Sequence, residues 1–149
     1  MSSLDAKHKA FLALHERPGA FVMPNPWDAG SSRILTALGY EALATTSAGF
    51  AFSIGRRDST AALSRDAILE NARAIVEATH LPVSADLEDG FGAAPEACAL
   101  TIIRASEVGL VGGSIEDATG DSASPIFDFG LAVERVAAAA EAARQPLSC

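Results

Sequence analysis

Apolar and polar positions along this chain alternate between two rhythms. In one, apolar residues recur every three to four positions, as on one face of a helix. In the other, short continuous apolar runs are bounded by glycine or proline, as in buried strands. The helical rhythm predicts a first helix over residues 5–15, with Leu4, Phe11, Leu12 and Leu14 as its apolar residues, stopped by Arg17, Pro18 and Gly19. Residues 20–24 predict a first strand, and Asn25, Pro26, Trp27 and Asp28 a turn. A second helix follows over 29–38, with Gly39 as its C-terminal cap. Residues 42–46 predict a second strand, and residues 47–62 a long loop. Ser64, Arg65 and Asp66 cap a helix running to about Thr79, on which Ile68, Leu69, Ala72, Ile75 and Val76 repeat at helical spacing. Residues 83–88 predict a third strand, closed by Asp89, Gly90, Phe91 and Gly92. A helix over 95–108, a fourth strand over 111–115, a polar loop over 118–124 and a last helix over 129–144 complete the pattern.

Short strands joined by helical crossovers predict an α/β fold with a parallel sheet. The pattern leaves open whether that sheet is closed or flat. A closed (β/α)₈ barrel takes about 250 residues, and four strand–helix units over 149 residues are about half of one. An open doubly wound sheet fits the length better. The first strand is followed by neither a G-x-G-x-x-G turn nor a P-loop, so dinucleotide or nucleoside triphosphate binding is not indicated. With no low-complexity linker in view, residues 1–149 are expected to form one domain.

Composition narrows the partners. Eleven basic residues against 19 acidic give a net charge of −8, which argues against nucleic acid or an anionic membrane surface. An anionic substrate stays possible, because a metal ion reverses the charge of a single pocket. No stretch approaches the ~18 apolar residues of a membrane span, and the N-terminus lacks an apolar signal core, so a cytoplasmic protein is expected. The two cysteines form no disulfide framework: Cys98 reads as a small core residue and Cys149 as a frayed end.

The polar residues gather at one place. The first predicted strand ends in Asn25, and the second in Thr46 and Ser47, with Asp58 further into its loop. The third ends in Asp86 and Glu88, and the fourth in Glu116 and Asp117. In a parallel sheet all of these fall at the carboxyl edge, where α/β proteins place ligands. Asp86 and Glu88, two apart on a strand, point to one face. With Glu116 beside them they repel one another unless a hard divalent cation neutralises them, and magnesium favours such oxygen ligands. The alternative is a set of helix caps and solvated strand ends. Gly90 and Gly92 allow a sharp backbone turn next to the acids.

These segments carry a resemblance. Residues 85–92, Ala-Asp-Leu-Glu-Asp-Gly-Phe-Gly, resemble the D-x-[DE]-x-G-[FY]-G metal segment of the phosphoenolpyruvate mutase/isocitrate lyase superfamily. Residues 114–117, Ser-Ile-Glu-Asp, resemble its following I-E-D segment. Thr46-Ser47-Ala48 and Gly55-Arg56-Arg57-Asp58 resemble its substrate turn and gating loop, in family order, and the similarity runs from about Phe21 to Arg144. The resemblance implies a (β/α)₈ barrel, here the first four units, using magnesium or manganese on a small α-oxo or α-hydroxy carboxylate. It implies that Asp86 binds the metal directly, that Glu88 and Glu116 hold it largely through water, and that Thr46, Ser47 and Ala48 hold the substrate. Asp58 is implied to close over the substrate, and Asp58 and Glu116 are the implied catalytic residues. Cleavage beside a carbonyl builds enolate charge, which a metal and amide donors stabilise.

The sequence departs from the family in three places. Ser47 stands where many members have glycine. Isocitrate and methylisocitrate lyases carry K-[KR]-C-G-H soon after I-E-D, whereas residues 118–125 contain neither cysteine nor lysine. The resemblance therefore falls on the mutase, hydrolase and oxo-acid lyase branch. Third, the family continues through four more units after Arg144, including a strand-borne arginine that contacts substrate. Full-length relatives are expected to be homo-oligomers. A half-barrel without catalysis, associating with another chain, is the competing reading. His8 and His15 read as surface or packing residues, and His80 as a helix-end charge. Trp27 reads as a packing residue, while Arg56 and Arg57 either steer an anion or are solvated.

Overall fold

In the computed structural model, which describes residues 3–58 and 62–144, the elements in chain order are α1 (Ser3–Glu16), α2 (Ala29–Ala37), β1 (Leu43–Ala44), α3 (Ser47–Ser53), α4 (Arg65–Glu77), β2 (Val83–Asp86), α5 (Pro95–Glu107), β3 (Gly112–Ser114) and α6 (Phe129–Ala143). The helix starts are chemically marked. Asp28 accepts from the Ser31 amide, and Ser31 answers with a reciprocal side-chain bond, a capping box that opens α2. Ser64 caps α4, and Asp128 caps α6 through the Gly130 amide. Gly39 follows α2 with φ +87°, the left-handed turn its position after the helix requires.

The sheet is parallel in the order β1-β2-β3, with Leu43 opposite Val83, Ala44 opposite Ser84, Ser84 opposite Gly112 and Asp86 opposite Ser114. Strand alternation gives it two unlike faces. Leu43, Val83, Ala85 and Leu87 are all but sealed, packed with Leu69, Ala72 and Ile75 of α4 and Ala105 of α5. Burying each leucine or valine there stabilises by about 1.5–3 kcal/mol. The opposite face carries Ser84, Asp86, Gly112 and Ser114. Phe11 and Leu14 of α1 close its lower end against Ala42, Phe21, Met23 and Val111. Gly112 makes room there: a Cβ on it would fall 2.8 Å from the Phe11 ring.

α2 packs on α4, α4 on α5 and α5 on α6. Strands in sequence order, with successive crossover helices side by side on the outer face, fit the first units of the expected (β/α)₈ barrel; one half of a doubly wound sheet has the same local order.

Three local expectations are corrected. Residues 20–24 form no strand. A single backbone bond, Ala44 N–H to Pro24 O (3.1 Å), ties them to β1, because Pro24 and Pro26 have no N–H to complete a ladder. β2 ends at Asp86, two residues early, since Glu88 takes a left-handed φ of +48°. The expected 47–62 loop begins with a helix, α3. Cys98 is buried as expected, and Cys149 lies outside the described residues. His15 is packed between the Phe11 and Phe21 rings, and Trp27 is only half-buried. No helix among the described residues is long and apolar enough to cross a membrane.

Candidate metal and substrate site

Asp86 is the best-held acid of the strand ends. Its Oδ2 accepts the Ser47 amide (3.0 Å) and the Ser47 hydroxyl (2.7 Å), and its Oδ1 accepts the Glu88 amide at 3.1 Å. Its own N–H donates to Thr45 Oγ1 at 3.1 Å. Short α3 makes this possible: Thr46 caps it by accepting the Gly49 amide, which turns Ser47 toward β2. Only glycine fits at 49, since a Cβ would lie 2.6 Å from Thr46 Cγ2. Of the expected substrate turn, the Thr46 hydroxyl oxygen therefore serves the helix and both Ser47 donors serve Asp86. Ala48 sits in the first turn of α3, where an amide has no acceptor within its own helix.

Glu88 and Glu116 meet differently. The expectation that Asp86 and Glu88 share a face by strand alternation fails, because the strand has ended. They are joined instead by the Glu88 amide on Asp86, and the Glu116 amide donates to Glu88 O at 2.8 Å. Burial, then Asp86, Asp89, Asp58 and Glu116, push the Glu88 carboxyl up to about 7. Burial, then Asp86 and Asp58, likewise raise Glu116 above the usual carboxylate range. Asp58 is exposed, yet its charge acts on both glutamates. Thus Asp58, Asp86, Glu88 and Glu116, called from four sequence positions, gather at one end of the sheet.

The donor set fits a hard divalent cation. It is all oxygen, and the charges raising Glu88 are carboxylates, so a cation is what the cluster lacks electrostatically. Among the described residues no three acid, histidine or cysteine side chains already converge as a ligand set. Beside the acids lies a cavity of about 360 Å³, lined by Met23, Asn25, Thr45, Thr46, Ser84 and Ser114 as well as Asp86. Asn25 Nδ2 donates to Ala44 O (2.9 Å), so the end of the failed strand still frames it.

Sequence reasoning missed Arg135. It is almost fully buried on α6 and donates to the carbonyls of Gly92 (2.5 Å), Ala93 (2.8 Å) and Asp89. Its guanidinium stacks 4.0 Å from the Phe127 ring centre. It ties the loop after Glu88 to the segment after Glu116. A lone arginine in an alanine-rich helix gives no sequence signal of this, because its acceptors are backbone carbonyls more than 40 residues away.

The chain can now be set beside known proteins. It is 35% identical to the uncharacterized Mycobacterium tuberculosis protein Rv1998c over 129 residues, 87% of this chain and 47% of that protein. It matches the crystal structure of a lyase/mutase-type protein from Burkholderia cenocepacia J2315 with TM-score 0.93 and 57% identity, over 96% of this chain and 51% of that one. It matches 2,3-dimethylmalate lyase, a phosphoenolpyruvate mutase/isocitrate lyase superfamily member, with TM-score 0.80 and 28% identity, over 95% and 49%. Phosphonopyruvate hydrolase, solved with oxalate and magnesium, shares the fold at TM-score 0.81 and 20% identity, over 99% and 50%. The chain thus spans about half the length of these proteins, the two named activities being those of enzymes. The family model for phosphoenolpyruvate phosphomutase matches residues 11–147. The chain belongs to the phosphoenolpyruvate phosphomutase family.

Proposed function

We propose that this chain supplies the magnesium-binding part of a lyase- or mutase-type enzyme that makes or breaks a C–C or P–C bond in a small α-oxo or α-hydroxy carboxylate through an enolate. The observation that carries this reading is the acid cluster at the carboxyl edge of the sheet, with Glu88 pushed up to about 7, beside an open cavity onto which Asp86 faces. Asp86 would hold magnesium directly, and Glu88 and Glu116 through water. Bound there, the ion supplies positive charge next to the oxygen on which enolate charge grows. Thr46, Ser47 and Ala48 form the wall facing the substrate; the Ala48 amide is the donor left for a substrate oxygen. Asp58, on the loop beyond α3, closes the site from outside. Glu116, whose amide is held on the Glu88 carbonyl, would move a proton at the reacting carbon.

A second reading, a half-barrel that associates with another chain without turnover, is favoured by the position of β3. Among the described residues β3 pairs with β2 alone, leaving a row of backbone donors and acceptors for another strand. Calorimetry separates the two. On the first reading oxalate, a planar dicarboxylate that mimics an enolate, binds the chain only when magnesium is present, and Asp86→Asn abolishes both binding events. Oxalate binding that ignores magnesium, or metal affinity unchanged in Asp86→Asn, overturns it. Self-association without either binding event supports the second.

A further inference from the structure

Resting on the assignment of Asp86 to the metal, we infer that Ser47 is a positioning residue that fixes which oxygen of Asp86 meets the cation. A carboxylate offers about four lone-pair sites, two on each oxygen. Ser47 fills both on Oδ2, with its amide at 3.0 Å and its hydroxyl at 2.7 Å. The Glu88 amide fills one on Oδ1 at 3.1 Å. One site remains, and it is on Oδ1. Asp86 is therefore restricted to binding through a single oxygen, with its side chain held in one orientation from 39 residues away.

The hydroxyl, rather than the amide, makes the difference. A glycine or alanine at 47 would keep the amide bond and return one lone pair to Oδ2. Asp86 would then be free to turn, or to offer both oxygens. Magnesium demands near-ideal octahedral geometry and is penalised by a two-oxygen grip; calcium accepts one- or two-oxygen carboxylates at longer distances. Ser47 thus sets selectivity for the smaller ion as well as affinity. This is a different task from holding substrate, which the family resemblance implies for this position.

The test is titration of the 149-residue chain with manganese, read by the electron paramagnetic resonance of the free ion, and calorimetry with magnesium and calcium. Losing an outer-shell partner of a ligand typically costs about 10–100-fold in metal affinity. Ser47→Ala is expected to weaken manganese and magnesium by roughly tenfold or more and to leave calcium less affected. Ser47→Thr, which keeps the hydroxyl, should restore most of the loss. Circular dichroism shows whether Ser47→Ala keeps the fold. If it does not, Ser47→Gly, which retains the same amide, is measured instead. Unchanged magnesium affinity, or equal losses for magnesium and calcium, overturns the inference while Asp86→Asn still abolishes binding. If Asp86→Asn binds metal as wild type does, the assignment of Asp86 falls and this role for Ser47 falls with it.

Discussion

The two faces of one small sheet obey different physics. The outer face, Leu43, Val83, Ala85 and Leu87, is closed by α4 and α5 and sealed from water. The inner face keeps its side chains small or polar: Ser84, Asp86 and Ser114 meet a cavity, and Gly112 makes room for the Phe11 ring. Alternation along β2 places a core residue and a site residue next to each other at every step. The outer face provides the stability that the inner face, with its crowded acids, gives up.

The sharpest way to break this contrast is to truncate one residue on each face. Leu43→Ala on the outer face should cost about 2–5 kcal/mol of unfolding free energy through lost burial and a cavity. Ser84→Ala on the inner face should stay within about 0.5 kcal/mol, as for a substitution away from packed features. Urea denaturation measures both. Equal losses would mean that the inner face is as structural as the outer, and the separation of roles would be wrong.

The helices of the crossovers were legible because burial imposes a period: Ile68, Leu69, Ala72 and Ile75 announce α4. Which face of the strands those helices cover was not legible: an apolar strand residue suits a barrel interior as well as a helix-covered face, and the structure puts Leu43 and Val83 under α4 and α5. That Asp86, Glu88 and Glu116 would be neighbours was legible because parallel strands bring their ends together, whereas Asp58 was singled out through the family resemblance. What stayed hidden depends on contacts between distant positions. Ser47 and Asp86 meet across 39 residues, and nothing local in either segment predicts it. Residues 20–24 have a strand's composition, but the prolines remove its hydrogen bonds. α3 contains Gly49 and two exposed residues at its end, so its apolar pattern is too short to declare a helix. Glu88 breaks the alternation that first linked it to Asp86.

A pH titration of stability sharpens the inner half of the comparison. The folded chain holds the Glu88 proton up to about 7, against 4.5 for the free group. Between those values the folded state binds more protons than the unfolded one, so unfolding free energy falls as pH rises. Glu116 acts in the same direction. Asp28, whose carboxyl is held low by the Ser31 amide and hydroxyl, acts the opposite way, with stability lost only as pH falls below its ordinary range. Without metal, stability should therefore decline from about pH 4.5 to about pH 7, by less than Leu43→Ala costs because Glu88 is partly solvated. Glu88→Gln should flatten the decline, and saturating magnesium at pH 8 should stabilise wild type more than that variant. A rise in wild-type stability across this window would show that the acids are not crowded.

The smallest effect belongs to charges on the outside. Arg104 on α5 meets Asp66 on α4 at 2.7 Å, with both side chains largely in water. Such exposed pairs contribute about 0–1 kcal/mol, since water already solvates each charge and holding two long side chains together costs entropy. Arg104→Ala should lower unfolding free energy by no more than that, and salt at roughly 0.5 M should erase even this difference by screening. The inner acids are partly buried, where screening is weaker, so the pH dependence above should survive the same salt. The urea midpoints of wild type and Arg104→Ala at low and high salt measure the first effect, and the pH series at high salt the second. If removing Arg104 costs as much as Leu43→Ala, or if salt abolishes the inner-face pH dependence, then electrostatics do not distinguish the two faces. The contrast would then reduce to packing alone.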